Sequence, residues 1–322
     1  MSNEASDSSD EGSSGKVPSA KIVAVEPKSG RFESLEAAVV AGGGQIGPVD
    51  EATALVWADP ARPGDLPGVL ESAPAIEWVA LPYSGIEPYL GFLDPRRVWT
   101  CARGVYARPV AEHAIMLGLA GMRGLATYAR SRTWSPPEGV NLTDANVVII
   151  GAGGIAEELI SLLDGFNCTI TVVRRRASPM DGADNTVAIE DRLAALAEAD
   201  LVILALALTP ETIGIIGAAE LAAMKPSAWL VNVARGDHID LEALVDALDN
   251  NAIAGAALDV TSPEPLPDSH PLWEHPRILI TPHVANTPEM GVPLLAAHIA
   301  ENVARFCRGE GLTGVVDIDA GY

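Results

Sequence analysis

Short apolar runs recur along the chain and alternate with amphipathic stretches. Residues 21–25, 54–57, 76–81 and 98–100 are rich in Val, Ile, Leu and Trp. Such compact runs suit strands buried on both faces. Residues 35–40 read as a helix between the first two, and Pro82 closes the third. From residue 146 the rhythm restarts, with runs at 146–150, 169–173, 201–205, 228–234, 254–260 and 277–280. Amphipathic helices are predicted between several of these, notably at 156–163 and 241–248. Strands alternating with helices build parallel sheets joined by crossovers. The pattern therefore predicts an α/β protein with two doubly wound parallel-sheet domains and a cleft between them.

Two longer helical patterns tie the units together. The first, 109–128, opens on Pro109, which suits a first helical turn. It offers Val110, Ala114, Leu117, Ala120 and Leu125 for burial, either on its own sheet or against a second copy. It is expected to bridge the domains. The second, from 288 to about 307, is expected to return to the first unit. That unit is then discontinuous, 17–103 with 286–322, around a continuous unit at 104–285.

Composition narrows the class. Hydrophobic residues make up 48% of 322, enough for two domains with buried cores. The net charge of −22 repels nucleic acid and anionic membrane surfaces, so neither is an expected partner. No apolar run is long and pure enough to cross a bilayer. Residues 1–16 are Ser-rich and acidic, lack the apolar core of a signal peptide, and read as a disordered tail. Cys101, Cys168 and Cys307 are far apart without metal-ligand spacing. Free thiols in a reducing cytoplasm are expected, and no metal. Lysine occurs only at 16, 21, 28 and 225, so any cluster of arginines stands out.

Such a cluster follows a glycine-rich turn. Residues 147–150 lead into Gly151-Ala152-Gly153-Gly154-Ile155-Ala156, and an apolar helical pattern follows. Gly151 permits a tight turn, Gly153 lets a pyrophosphate approach the main chain, and Ala156 takes the third small position. A helix starting here presents N–H groups to phosphates. The unit at 104–285 is thus expected to be a Rossmann cofactor domain. At the end of its second strand, an NAD site places Asp or Glu on the ribose 2′-hydroxyl. This chain has Arg174-Arg175-Arg176 and Ser178. Guanidinium forks bind a 2′-phosphate, so NADP is expected in preference to NAD.

Arg235, Glu264 and His283 each lie just past one of the last three strand-like runs. Read alone, Arg235 suits a surface salt bridge, Glu264 a proline-rich loop and His283 a core hydrogen bond. Together, at one end of neighbouring parallel strands behind a nucleotide turn, they suit the grip and protonation of a 2-oxo acid. A guanidinium forks onto a carboxylate, an imidazole exchanges a proton near neutrality, and a carboxylate beside it fixes its tautomer.

At these residues the chain resembles the D-isomer-specific 2-hydroxyacid dehydrogenases. The resemblance runs through Val110-Ala111-Glu112-His113-Ala114, Gly151–Ala156, Leu208-Thr209-Pro210-Glu211-Thr212, Met224-Lys225-Pro226, residues 232–236, Leu258-Asp259-Val260, Glu264-Pro265-Leu266-Pro267 and Thr281-Pro282-His283. It continues to Val315-Val316-Asp317 and Gly321-Tyr322. It implies a smaller, flavodoxin-like substrate domain beside the Rossmann domain, and a cytoplasmic NAD(P)-dependent oxidoreductase acting on a small 2-oxo or D-2-hydroxy acid of the glyoxylate/hydroxypyruvate type.

By the same resemblance His283 is the acid/base, Glu264 its partner and Arg235 the substrate anchor. Tyr83, Ser84 and Gly85 present main-chain N–H groups to the substrate carboxylate. Asp259 holds the nicotinamide carboxamide, while Gly154, Ile155, Ala205 and Ala234 complete the cofactor contacts with Gly151, Gly153, Arg174 and Arg175. A homodimer through the Rossmann domain and helix 109–128 is implied as well. The chain departs from the family pattern at Ala205 and Ala207, where histidine and proline are frequent, at Asn286 in place of glycine, and at Arg174 in place of an acid. A phosphoglycerate dehydrogenase is the competing enzyme reading, although no regulatory domain is expected after Tyr322. Glu264 argues against a formate dehydrogenase. Corepressor-like dinucleotide sensors keep the same trio and form the alternative of another class.

Overall fold

The computed structural model describes residues 21–28 and 30–319. The acidic segment at 1–16 and the Gly321-Tyr322 pair lie outside them. The first sheet is built from β1 (Ile22–Glu26), α1 (Phe32–Ala41), β2 (Gln45–Ile46), β3 (Ala54–Trp57), α2 (Leu66–Ser72), β4 (Trp78–Ala80) and β5 (Val98–Thr100). Its strand order is β2-β1-β3-β4-β5, all parallel. This is the flavodoxin-like order. Helices α3 (Ala107–Met122) and α4 (Leu125–Arg130) follow.

The second sheet uses β6 (Asn146–Ile150), α5 (Gly154–Leu163), β7 (Thr169–Arg174), β8 (Asn185–Ala188), α6 (Arg192–Glu198), β9 (Leu201–Leu204), α7 (Ala218–Ala223), β10 (Trp229–Asn232), α8 (Leu241–Asp249), β11 (Gly255–Leu258) and β12 (Ile278–Ile280). The chain closes with α9 (Pro288–Arg308). The order β12-β11-β10-β9-β6-β7-β8 is parallel throughout and reverses direction between β6 and β9. The two sheets make a pair of Rossmann-like parallel α/β layers. Among the described residues no helix is long and apolar enough to cross a membrane.

Burial explains the pattern. Every residue of β9, β10 and β11 is buried because helices cover both faces of the sheet. Helix α5 buries Ala156, Leu159, Ile160 and Leu163, one stripe at helical spacing. Helix α3 joins the two cores. Tyr106 and Val110 at its start pack with the first sheet, while Ala111, Ala114 and Leu117 belong to the core of the second. Gly118 and Gly121 let it lie close on the sheet, since a Cβ at Gly121 would stand 2.3 Å from the Trp229 ring. Leu295, Ile299 and Val303 of α9 complete the core of the first sheet.

The helix expected at 109–128 is two helices. Gly124 adopts φ +67°, a left-handed conformation that ends α3 and starts α4. The run at 228–234 forms a strand only to Asn232. Beyond it the Ala234 N–H turns to Asn232 Oδ1 and leaves the sheet ladder. β2 and β8, absent from the sequence reading, are short and partly exposed edge strands whose residues carry little apolar signal.

Candidate active site

The crevice at the β6–β9 reversal is where an open parallel sheet receives a ligand. Gly151 stands there with φ +122°, and a Cβ on it would lie 2.1 Å from the Ala205 carbonyl oxygen. Only glycine fits this turn. Gly153 is the N-cap of α5, with no side chain capping the helix and open space where a Cβ would point. Gly154 and Ile155 form the first turn. Bare main chain at a helix N-terminus, with room beside it, fits a pyrophosphate. Arg174 ends β7 and donates through Nη1 to the Ser178 carbonyl at 3.3 Å. Arg174 is half-buried and Arg175 exposed. The charge of Arg175 also reaches Glu211, whose pKa is held down first by its hydrogen bond from Thr209, next by a main-chain N–H and least by this arginine. Ala205 and Ala234 line the carboxyl ends of β9 and β10. The residues present thus fit a nicotinamide dinucleotide.

The three charged residues come from loops at the carboxyl ends of β10, β11 and β12. His283 Nδ1 lies 2.5 Å from Glu264 Oε1. The ring and the carboxylate are half exposed, and Nε2 has no protein partner among the described residues. His283 itself has φ +52°, which is uncommon for a non-glycine residue and costs about 1–3 kcal/mol that its surroundings must offset.

Asp259 holds this conformation. The Asp259 carbonyl accepts from the His283 N–H at 2.8 Å. Its buried carboxylate accepts from Thr281 Oγ1 at 2.5 Å, from the Val284 N–H at 3.0 Å and from the Ala285 N–H at 3.1 Å. His113 of α3 reaches the same group, with Nε2 at 3.2 Å from Oδ1 and 2.9 Å from Thr281 Oγ1. Burial pushes the Asp259 pKa up, but these hydrogen bonds outweigh it and hold the carboxylate below its ordinary range. Protein donors therefore occupy both of its oxygens.

Arg235 is set by its own turn. Buried Asn232 donates through Nδ2 to the Arg235 carbonyl at 2.8 Å and accepts from Ala234. A Cβ at Gly236 would lie 2.0 Å from Thr261, so the β10 and β11 loops meet only through glycine. The guanidinium crosses the cleft, where Nε donates to Glu87 Oε1 at 3.0 Å. Opposite stand Tyr83, Ser84 and Gly85, beyond β4. Ser84 Oγ donates to the Ala102 carbonyl, and Tyr83 Oη accepts from Arg31 at 2.7 Å. Among the described residues, the main-chain N–H groups of Tyr83, Ser84 and Gly85 meet no protein acceptor. The structure thus sets Arg235 against Gly85 and Glu264 against His283, while the arginines at 174 and 175 stand at the end of β7.

Four site residues had no role assigned from the sequence: Glu87 and His238, and His113 and Asn232, which lie within stretches of family resemblance. His238 is fully buried, with Nδ1 3.0 Å from the Thr212 carbonyl and Nε2 3.3 Å from that of Leu206. Burial lowers its pKa while the two carbonyls work against that, and the ring ties the Arg235 turn to the loop after β9. Its place two residues after Arg235-Gly236 was a signal of proximity, but not of a partner.

Comparison with known proteins gives the family. Residues 114–285 match the family described as D-isomer specific 2-hydroxyacid dehydrogenase, NAD binding domain. A Corynebacterium melassecola protein encoded 3′ of proB, itself uncharacterized, is 44% identical over 77% of this chain and 84% of its own length. Glyoxylate/hydroxypyruvate reductase A of Serratia proteamaculans is 34% identical over 67% of this chain and 69% of that protein. The crystal structure of an NADPH-dependent glyoxylate/hydroxypyruvate reductase from Sinorhizobium meliloti, solved with NADP and sulfate, is similar with a TM-score of 0.78 and 25% identity, covering 94% of this chain and 100% of that one. The chain belongs to the D-isomer specific 2-hydroxyacid dehydrogenase family and is an NAD(P)-dependent 2-hydroxyacid dehydrogenase.

Proposed function

We propose that the protein reduces small 2-oxo acids, such as glyoxylate and hydroxypyruvate, to D-2-hydroxy acids, with NADPH preferred over NADH. The contact between His283 Nδ1 and Glu264 at 2.5 Å carries this reading. A carboxylate on Nδ1 fixes the tautomer and leaves Nε2 to exchange a proton with the substrate oxygen. Arg235 and the N–H groups of Tyr83, Ser84 and Gly85 hold the substrate carboxylate between the lobes. The bound dinucleotide supplies the hydride that the carbonyl carbon accepts. Gly151, Gly153, Gly154 and Ile155 hold its phosphates, with Ala205 and Ala234 along the crevice, and Asp259 fixes the loop that carries His283. Lobe closure excludes water and aligns the reacting groups.

The NADPH preference rests on Arg174 and Arg175, where an NAD site would carry an acid. The Serratia and Sinorhizobium relatives support the substrate class by their names, and the latter was solved with NADP. We take the protein to be a cytoplasmic homodimer joined through the seven-stranded lobe and α3–α4, where Met116 and Leu125 are exposed. A panel of 2-oxo acids assayed with NADPH and NADH tests the reading. Turnover of glyoxylate and hydroxypyruvate with NADPH is expected. Tight NADPH binding without turnover of any acid would favour a dinucleotide sensor instead.

A further inference from the structure

The guanidinium assigned above to the substrate's carboxylate already holds one. Arg235 Nε donates to Glu87 Oε1 at 3.0 Å, and Nη1 is turned back onto the Ala234 carbonyl at 2.8 Å. A Cβ built on Gly85 would lie 1.9 Å from Arg235 Nη2 and 2.6 Å from Glu87 Oε2. Nη2 and Oε2 therefore both lie over Gly85, whose own N–H and those of its two preceding residues are unengaged among the described residues. Glu87 thus engages the side-on edge, formed by Nε and Nη2, through Nε. With Nη1 committed to Ala234, that edge is the one left for a two-point grip on a carboxylate. One edge does not fork onto two carboxylates at once.

Glu87 cannot leave the cleft. It opens a 3-10 turn over Glu87–Phe92, held by the Tyr89 N–H on the Ile86 carbonyl at 2.8 Å. Ile86 and Tyr89 on either side are buried at 2% exposure. The main chain is anchored, so the carboxylate leaves Arg235 only by side-chain rotation and stays beside the site. Both partners are about a third exposed, at 35% each, which leaves their ion pair open to exchange with a ligand.

Resting on the reading that Arg235 anchors the substrate, we propose that Glu87 is an internal competitor for the substrate carboxylate and a determinant of specificity. An incoming 2-oxo acid takes Arg235 from Glu87. The released carboxylate then stands as a negative charge next to the bound acid. It repels a second anionic group on the substrate and tolerates hydrogen or a hydroxymethyl group, whose hydroxyl can donate to it. The site so built selects monoanionic 2-oxo acids against dianionic ones.

The isosteric, neutral variant Glu87→Gln tests this, with the full chain, NADPH, and glyoxylate and oxaloacetate as substrates. The KM for glyoxylate should fall about 3- to 5-fold, the scale of losing an exposed ion-pair competitor. The ratio of kcat/KM for oxaloacetate to that for glyoxylate should rise about 10-fold or more as the like-charge contact disappears. An unchanged or raised KM for glyoxylate, or an unchanged ratio, overturns the proposal. A matching pair of thermal melts without ligand shows whether the variant folds. Should wild type turn over no 2-oxo acid, the functional reading has failed rather than this one. The Tm shift given by oxamate in the presence of NADPH then decides, because it needs no turnover. A larger shift for Glu87→Gln than for wild type supports the exchange, and an equal or smaller shift overturns it.

Discussion

The loop that carries His283 and the loop that carries Glu87 face each other across the cleft and are held in opposite ways. The first is clamped from behind. Asp259, at 2% exposure, receives Thr281, Val284 and Ala285 and touches His113. In the second the main chain is anchored by buried Ile86 and Tyr89, but the Glu87 carboxylate is held from in front, through one ion pair with Arg235 whose partners are about a third exposed. A proton-transfer group has to keep its geometry through each turnover, so its loop is fixed by buried hydrogen bonds that a substrate does not reach. A group that must yield to substrate is held by a contact that water and ligands reach. Burial separates the fixed side of the site from the exchangeable one.

The largest effect should come from the clamped side. His283→Ala should lower kcat about 10²- to 10⁴-fold, the usual worth of general acid–base catalysis, with NADPH affinity nearly intact. Steady-state kinetics and a fluorescence titration check this. Equal loss of turnover and of cofactor binding would make His283 a structural residue.

Next comes the clamp. Asp259→Asn keeps the shape but removes the charge that four donors face, and should cost about 2–3 kcal/mol of stability by denaturant unfolding. It should also change the acid response. The Asp259 pKa is lower in the folded protein than in an unfolded chain, so its stabilisation is complete above the unfolded value, near 3.9, and is lost as pH falls through the folded one. Wild type should therefore lose more stability than the variant below about pH 4. Parallel acid profiles would mean that Asp259 does not bear the clamp.

The cofactor side should respond less. Replacing Arg174 and Arg175 by Asp and Ser should shift the NADPH-to-NADH ratio of kcat/KM toward NADH about 10- to 100-fold, the scale of one or two charge-assisted hydrogen bonds. Unchanged selectivity would place the phosphate contact elsewhere.

The sequence revealed the site wherever the chemistry is local. Gly151 and Gly153 announce a turn because their spacing between an apolar run and a helical pattern is legible within a few residues, and Gly151 takes a φ of +122°. Arg235, Glu264 and His283 announce themselves by standing just past strands whose apolar runs are plain. Glu87 did not, because nothing in its neighbourhood marks it, and His113 and Asn232 lie inside stretches of family resemblance that give them no partner. Glu87 matters only because the lobes bring it to Arg235, 148 residues away. His113 matters only because α3 passes behind the β11–β12 loops. In the fold, the edge strands β2 and β8 were hidden by shortness and polarity. The break in the 109–128 helix was visible at Gly124, but an apolar pattern running through it masked the stop.

The most direct test of the central claim is a crystal structure of the full chain with NADPH and oxamate. The oxamate carboxylate should lie on Arg235 and the N–H groups of the 83–85 turn, with Glu87 rotated off the guanidinium and His283 Nε2 within hydrogen-bond reach of the oxamate carbonyl oxygen. Oxamate bound with Glu87 still on Arg235, or with the His283 ring turned away from it, would contradict the account.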